Sequence, residues 1–139
     1  MDPEERIELA RVAWEAYNAG DIEGVLRILD PDVVVHVPVE LANSGTYRGH
    51  DGYRRGFGGW VEAFDHLSVD EFELEPVGDR HVVVDARQSG RGRGSGIEVE
   101  MRLGYMFELR DGKVVRFHVL HGRDAAIAAA KAGERAEPG

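Results

Sequence analysis

The 139-residue chain contains no cysteine. This absence excludes disulfide bonds, thiolate nucleophiles and zinc sites built from cysteine. A chain without thiols suits a reducing compartment, so we expect a cytoplasmic protein. No apolar run approaches the roughly 20 residues that a membrane helix needs. Residues 1–5 are acidic where a secretory signal would be basic. We therefore expect no membrane partner.

Positive charge is also scarce. Lys and Arg number 17 against 26 Asp and Glu, which leaves a formal net charge of −9. An acidic domain repels phosphate backbones, so we expect no nucleic-acid partner. The hydrophobic fraction of 42% is high enough for a packed core. Because the length is close to that of one domain, we predict a single domain over 1–139. Its core spans about 4–132, and 133–139 form a frayed tail.

The N-terminal part is patterned as two helices. Apolar residues at helical spacing predict an amphipathic helix over 4–19. Asp2 suits its N-cap and Pro3 its first position. A second, short helix begins after Asp21 and ends at 30–32, where a proline stops it.

A third helix is predicted over residues 51–66. Four aromatic residues share one of its faces: Tyr53, Phe57, Trp60 and Phe64. Four glycines weaken this helix unless they permit close packing: Gly52, Gly56, Gly58 and Gly59.

The rest of the chain is patterned as strands. The β-branched run 33–37 predicts a first strand, and 39–48 predict a loop. From residue 67 the apolar period changes to two. Four further strands are predicted at 67–76, 81–88, 97–109 and 113–121, and a closing helix at 123–132. Helices first and strands later predict an α+β fold, with helices on one face of a curved sheet.

The turn between the last two strands decides which side chains face the core. A two-residue loop at 111–112 would pair Phe107 with Arg116, which mixes apolar and polar faces. A three-residue loop at 110–112 pairs Phe107 with Val115 and keeps apolar with apolar. We therefore predict the longer loop, with its glycine at positive φ.

This register places His121 on the core face, opposite Met101. An imidazole at the mouth of an apolar concavity is a candidate catalytic acid/base. A structural histidine at a strand end is an equal alternative. Tyr105, also on the core face, is a candidate hydroxyl donor to a substrate carbonyl, with an ordinary core tyrosine as its alternative.

The candidate pocket residues are mostly aromatic or aliphatic and occupy core-facing positions. They are Trp14, Tyr17, Val37, Tyr53, Phe57, Trp60, Met101, Phe117 and Val119. Aromatic stripes at helical spacing are also typical of a plain packed core, and this alternative stays open.

Neither a metal site nor a cofactor is expected. His118 and His121 are three apart on a strand and so point to opposite faces. The glycine-rich run 90–96 joins two strands and lacks the spacing of a dinucleotide fingerprint, so it predicts a hairpin loop. His36 is out of phase with the valines around it and is expected to face outward.

Several segments in order carry a family resemblance. They are 16–24, 29–33, 45–49, 90–96 and 110–115. Over about residues 5–130 the chain resembles the SnoaL-like branch of the nuclear transport factor 2-like superfamily, which also holds ketosteroid isomerases. The resemblance implies a cone-shaped α+β barrel, a bent antiparallel sheet around three helices, with a deep apolar pocket and usually a dimer.

The resemblance also implies which catalytic groups are present. The ketosteroid isomerase tyrosine falls on Ala13, its general base on Val37 and its protonated aspartate on Tyr105, so that set is absent. The acid/base aspartate of the SnoaL-like cyclases aligns with His121, and an imidazole can fill that role.

We therefore expect a small-molecule pocket protein, with cofactor-independent acid/base chemistry of the cyclase or isomerase type on a hydrophobic, polyketide-like carbonyl compound. The alternatives are a non-catalytic binding protein for a hydrophobic ligand and a dimerising assembly module. An open pocket favours the first two, and a filled one favours the third. A homodimer is expected through the outer strand face: Glu100, Arg102, Met106, Arg116 and His118.

Overall fold

The predicted α+β fold is confirmed. The computed structural model describes residues 1–38, 44–62 and 64–136, without the side chains of 58–62, 64–67, 69 and 70. Its elements are α1 (Pro3–Asn18), α2 (Ile22–Leu26), β1 (Leu29–Val37), β2 (Gly45–Arg48), α3 (Gly49–Glu62), β3 (Phe64–Val77), β4 (His81–Gly92), β5 (Glu98–Arg110), β6 (Lys113–Leu120) and α4 (Arg123–Arg135). In these ranges no helix has both the length and the apolar character needed to cross a membrane.

One curved sheet organises the chain. In the described residues its six strands follow the order β2-β1-β6-β5-β4-β3. β1 runs parallel to β6, and the other neighbouring strands are antiparallel. Because β2 and β3 stand at opposite edges, the sheet is not closed. The parallel pair brings the first strand of the chain beside the last one.

Helices cover both faces of this sheet. On the inner face, Trp14 of α1 packs in one cluster with Val84 and with residues of α2 and α3. On the outer face, Val83 and Met106 pack against Ala126 and other alanines of α4. Successive residues of β4 point to opposite faces, so a run of valines there is buried on both sides.

Helix α4 covers part of the outer face that was expected to form a dimer surface. Met106 is only 3% exposed, since Ala126 and Ala130 lie four residues apart on the side of α4 that packs there. The prediction that Met106 contributes to a dimer surface is therefore wrong.

The predicted helix starts are confirmed. The carboxylate of Asp2 accepts from the N–H of Glu5 at 2.8 Å, and Asp21 accepts from the N–H of Gly24 at 3.0 Å. The predicted end of the second helix is wrong, because α2 stops at Leu26 and β1 begins at Leu29. The proline of this segment is accommodated by an irregularity in the β1–β6 pairing.

Two more boundaries differ from prediction. The expected loop at 39–48 contains β2, whose Gly45 pairs with Val37 of β1; residues 39–43 lie outside the described part. The third helix ends at Glu62, and Phe64 already belongs to β3, where it pairs with Gly92. The prediction of Phe64 on a helical face is wrong, because the strand β4 extends into the glycine-rich run and offers it a partner.

Close packing explains two of the α3 glycines. A Cβ on Gly52 would lie 3.2 Å from the Cβ of Tyr47, and one on Gly56 would lie 2.9 Å from the Tyr47 ring. The Tyr47 side chain thus occupies space that alanines would fill. The expected packing role is confirmed for these two glycines, whereas the side chains around Gly58 and Gly59 are outside the described set.

The predicted three-residue turn between β5 and β6 is wrong. Arg110 pairs with Lys113, which leaves Asp111 and Gly112 as a two-residue loop. Their φ angles are 53° and 78°, so both are left-handed, as an Asp-Gly turn of type I′ requires. The positive φ of the glycine is confirmed.

A bulge restores the apolar register that the short turn would disturb. Val115 is the extra residue of β6, since the pairing shifts beside it. Phe107 consequently faces Phe117, and Tyr105 faces Val119. The additional residue that the longer loop was expected to supply lies within the strand instead.

The C-terminal helix extends to Arg135, so the predicted frayed tail is wrong for 133–135. Glu134 fixes this end because its carboxylate accepts from the N–H groups of Asp79 at 2.7 Å and Arg80 at 3.1 Å. Arg80 in turn donates to the carbonyl of Ala136 at 2.7 Å. Residues 137–139 lie outside the described part.

Candidate functional site

A small apolar cavity lies on the inner face of the sheet. Its volume is about 20 Å³, which is room for about one water molecule. The lining residues are Ala13, Trp14, Tyr17, Val25, Leu29, Tyr53, Phe57, Tyr105, Phe107 and Phe117. α1, α3 and the strands β5 and β6 supply most of them, so the cavity is the unfilled remainder of the inner core.

Six of the residues predicted for the site meet in this lining. They are Trp14, Tyr17, Tyr53, Phe57, Tyr105 and Phe117. Val37 and Val119 are buried in the same cluster, and Met101 packs against it half-buried, but these three are not in the lining described here. The Trp60 side chain lies outside the described set.

Aromatic contacts shape the cavity wall. The rings of Trp14 and Tyr105 meet edge-on with centroids 4.6 Å apart. Tyr105 also stacks on Phe117 at 5.6 Å, and Tyr53 stacks on Phe57 at 4.7 Å. Such contacts contribute beyond the area they bury and hold the rings in defined orientations.

A hydrogen-bonded chain of three polar side chains lies in this aromatic wall, with Gln88 and Tyr105 buried and Tyr17 half-buried. Tyr17 donates its hydroxyl to the amide oxygen of Gln88 at 3.2 Å. The amide nitrogen of Gln88, which is fully buried, donates to the hydroxyl oxygen of Tyr105. Because Tyr105 accepts that bond, its own proton can be given to a further acceptor.

Burial controls the protonation of the phenols. It raises the pKa of Tyr105 well above the ordinary value, the nearby Tyr17 adds to this, and the bond from Gln88 opposes it. Burial likewise raises the pKa of Tyr53. Both hydroxyls therefore stay protonated at neutral pH, and they can donate hydrogen bonds but cannot remove a proton from a substrate.

Trp14 adds a second donor to the wall. Its side chain is 2% exposed, and its Nε1–H has no hydrogen-bond partner among the described residues. A buried donor without a partner costs free energy, about 1–3 kcal/mol in typical cases. The described lining contains no Asp, Glu or His, so its polar character comes from donors that suit a neutral or negative oxygen.

His121 does not lie where the sequence predicted it. It follows the end of β6 and is exposed, and it is not in the described cavity lining. The reason is that the chain leaves the sheet after Leu120 and enters α4 through Gly122, whose φ is 101°. The carbonyl of Gly122 sits directly against Gly104, where any Cβ would overlap it.

Gln88 is the residue of this site that sequence reasoning missed. The signal was present, because Val82, Val84, Ala86 and Gln88 share one face of β4 by period two. A polar residue in phase with buried apolar ones is the same pattern that singled out His121.

The described residues contain no group of three or more His, Asp or Glu side chains able to hold a metal ion. His36 is exposed on the outer face, as predicted. It pairs with His118 across the parallel strands β1 and β6.

Comparison with known proteins gives a family and a fold. The family model described as the SnoaL-like domain matches residues 10–117. No curated protein matches the sequence. The structure is similar to that of TerC, co-crystallised with polyporic acid, with 22% identity, a TM-score of 0.74, and coverage of 91% of this chain and 98% of that one.

Two bacterial structures are similar to the same degree. An NTF2-like protein of unknown function from Burkholderia pseudomallei is 21% identical, with a TM-score of 0.76 and coverage of 92% of this chain and 97% of that one. A proposed polyketide cyclase from Xanthomonas campestris is 18% identical, with a TM-score of 0.75 and coverage of 91% and 97%. At these identities the likeness shows a shared fold.

Proposed function

We propose, because the chain belongs to the SnoaL-like domain family, that its inner cavity binds a small hydrophobic molecule bearing a carbonyl oxygen. The observation that carries this proposal is the chain of hydrogen bonds from Tyr17 through Gln88 to Tyr105, set in an aromatic wall beside the N–H of Trp14, which has no partner among the described residues. The ligand oxygen accepts from Tyr105 or Trp14, and the ligand rings pack on the aromatic side chains.

Among the described side chains, the deep pocket that the resemblance implies is nearly filled, which on its own favours the assembly module. Binding therefore has to enlarge the cavity. Sites for drug-sized molecules measure roughly 300–1,000 Å³, against about 20 Å³ here. The strands β4, β5 and β6 are each hydrogen-bonded on both sides and form the fixed wall. Phe57 of α3 contacts Phe117 of that wall, and Tyr53 stacks on Phe57. Because α3 is not a strand of the sheet, we infer that these two rings move when the ligand enters.

The TerC complex with polyporic acid supports the choice of ligand class. That molecule is the first probe for this chain. A cyclase-type reaction is the finer proposal, supported by similarity in fold to proposed polyketide cyclases. Such a reaction needs a proton acceptor, which the described lining lacks. His121 is our candidate, and substrate must then reach the end of β6 or draw the segment at 121–122 inward.

Binding without turnover is the second candidate. It is favoured by the protonated state of the buried phenols, which act as donors only.

The homodimer also remains a prediction. Light scattering checks it, because a mass near 15.4 kDa at all micromolar concentrations would rule it out.

The binding proposal is tested by NMR on the indole N–H groups. The chain has two tryptophans, and Trp60→Phe assigns the Trp14 signal. Titration with polyporic acid and a panel of aromatic ketones should shift that signal for at least one compound. Tyr105→Phe and Gln88→Leu should each weaken binding about tenfold, which corresponds to one lost hydrogen bond. Tyr47→Phe, which removes a hydroxyl at the exposed edge strand, is the matched control.

The proposal fails if no compound of the panel moves the Trp14 signal, or if Tyr47→Phe weakens binding as much as Tyr105→Phe does. Turnover is tested separately. His121→Ala should abolish any conversion of a bound compound and leave its affinity unchanged. Conversion that survives in this variant would remove His121 from the mechanism.

A further inference from the structure

Two histidines are direct neighbours on the outer face of the sheet. His36 of β1 and His118 of β6 are partners in the parallel pairing of these strands. His36 is exposed and His118 is half-buried. Phe117 lines the inner cavity, so alternation along β6 places the next ring, that of His118, on the opposite face. The function proposed above therefore uses neither histidine.

The spacing of the two rings fits a shared metal ion. A tetrahedral ion that is bound at about 2.0–2.1 Å by one nitrogen of each imidazole holds the ring centroids about 5 Å apart. The centroids of His36 and His118 are 5.4 Å apart, and their ring planes are inclined at 57°. The sequence pattern compared His118 only with His121 on its own strand, whereas the pairing of β1 with β6 supplies a neighbour at the right distance.

Thr46 orients the ring of His36. It is the β2 partner of His36, and its hydroxyl lies 3.1 Å from Nδ1 of that ring. When Nδ1–H donates to the hydroxyl, the lone pair of the ring is on Nε2, which can then bind a metal. Metal-binding histidines commonly have their second nitrogen held by such a hydrogen bond. No hydrogen bond to the His118 ring is found among the described residues.

The residues across from the two histidines decide which ions fit. Thr46 pairs with His36, and Met106 pairs with His118 on its other side. No carboxylate therefore lies directly across from either ring on these strands. Mg²⁺ and Ca²⁺ prefer oxygen ligands, whereas imidazole suits Cu²⁺, Ni²⁺ and Zn²⁺. The pair is thus selective for transition metals.

The charges nearby act in both directions. Arg48 and Arg116 both pair with Val34, which is the preceding residue of β1 on the same face, and their guanidinium groups oppose a bound cation. The carboxylate of Glu108, 3.9 Å from Nε of Arg116, offsets part of that charge. The net charge of −9 favours cations at the surface as a whole. With two protein ligands and two nearby arginines, the affinity is expected to be modest.

We propose that His36 and His118 together bind one divalent transition-metal ion of the Cu²⁺, Ni²⁺ and Zn²⁺ group. Nε2 of His36 forms one bond to the metal and a ring nitrogen of His118 forms the second, and water fills the other positions. Once one imidazole is bound, the other is held beside the ion by the sheet at a high effective concentration. The pair therefore binds more tightly than either ring alone.

The test is NMR titration of the full chain, first treated with a chelator and then supplied with Zn²⁺. The ring-proton signals of His36 and His118 should shift together and saturate at one ion per chain, and Mg²⁺ should shift neither. Cu²⁺ should broaden the amide signals around residues 36 and 118 most strongly, which locates the ion without any substitution. The indole N–H of Trp14 should not respond, which separates this site from the inner cavity.

Variants check that both rings are ligands. His36→Asn and His118→Asn should each weaken Zn²⁺ binding by about tenfold or more, because one ring alone remains. His121→Asn, at an exposed histidine outside the pair, is the matched control and should leave the affinity unchanged. The proposal is overturned if millimolar Zn²⁺ moves neither ring or only one, if the Cu²⁺ broadening is centred elsewhere, or if His121→Asn weakens binding as much as His36→Asn.

Discussion

His36 and His118 lie side by side on the parallel strands β1 and β6, with their imidazole centroids 5.4 Å apart. His36 is exposed and contacts the Thr46 hydroxyl at 3.1 Å. His118 is half-buried, and its pKa is lowered to about 4, first by burial and then by His36 and Arg116. The folded chain therefore keeps this imidazole neutral over a range in which the unfolded chain protonates it.

This difference predicts a pH-dependent stability. Between about pH 6.5 and pH 4, His118 is protonated in the unfolded state and neutral in the folded state. The free energy of unfolding therefore falls as the pH falls. Urea unfolding at several pH values should show the decline, and His118→Asn should flatten it. The ring-proton titration of His118 should have its midpoint near 4 and move upward in His36→Asn. A midpoint near 6.5 would contradict the prediction.

The β5–β6 turn gives a backbone prediction. Gly112→Val should lower the free energy of unfolding by about 1–2 kcal/mol, because the φ of 78° is strained for a β-branched residue. Gly112→Asn should cost only a few tenths of a kcal/mol, since asparagine tolerates left-handed backbone. Chemical denaturation of both variants checks the ranking. Equal effects would mean that the turn does not hold this conformation in solution.

The packing of Tyr47 on α3 predicts that the effect of Gly56→Ala on stability changes sign when the Tyr47 ring is removed. Gly56→Ala should destabilise the protein by about 1–3 kcal/mol, because its Cβ would meet the Tyr47 ring at 2.9 Å. In the Tyr47→Ser background the same substitution should stabilise by about 1 kcal/mol, since alanine favours the helix over glycine. A double-mutant cycle by thermal unfolding measures the coupling. Additive effects would exclude the contact.

The end of α4 predicts a second pH effect. Burial acts to raise the pKa of Glu134, but the bonds from the Asp79 N–H, from His81 and from the Arg80 N–H together lower it below the ordinary value. This stabilisation is present above the unfolded pKa and disappears as the pH falls through the lower folded pKa.

Glu134→Gln should therefore cost about 1.5–3 kcal/mol at pH 7 and converge with the unmodified protein at strongly acidic pH. Unfolding curves at both pH values measure this, and Glu98→Gln, in an exposed ion pair with Arg91, is the control. A difference that persists at acidic pH would show that the carboxylate charge is not responsible.

Periodicity was sufficient to predict the long elements. α1 carries an N-cap and an apolar stripe at helical spacing, and the strands of the C-terminal half alternate between apolar and polar residues. In each element, therefore, only one secondary structure places the apolar residues on a single buried face. The short β2 has no such stripe, because only four residues pair along an edge. Its existence depends on β1 as a partner, which is a long-range contact that no local pattern records.

The register of β6 shows a different limit. One extra residue can enter a loop or a bulge, and both keep Phe107 beside an apolar partner. The choice depends on the left-handed backbone of Asp111, which aspartate tolerates but does not enforce. The position of His121 was predicted wrongly for a different reason. The alternating pattern of β6 extends past Leu120 in the sequence, but the strand ends there and the chain continues into α4. Gln88, by contrast, could have been predicted from its phase.

The parallel pairing of β1 with β6 has a consequence for synthesis on the ribosome. β1 has emerged and is ready to pair long before residues 113–120 exist, so one of its edges stays open while most of the chain is made. Unpaired strand edges invite association with other chains. The β1–β6 ladder of the sheet forms only after residues 113–120 have been made, and such distant contacts make folding slow. The nascent chain is therefore most exposed to misassembly immediately before its last strand is complete.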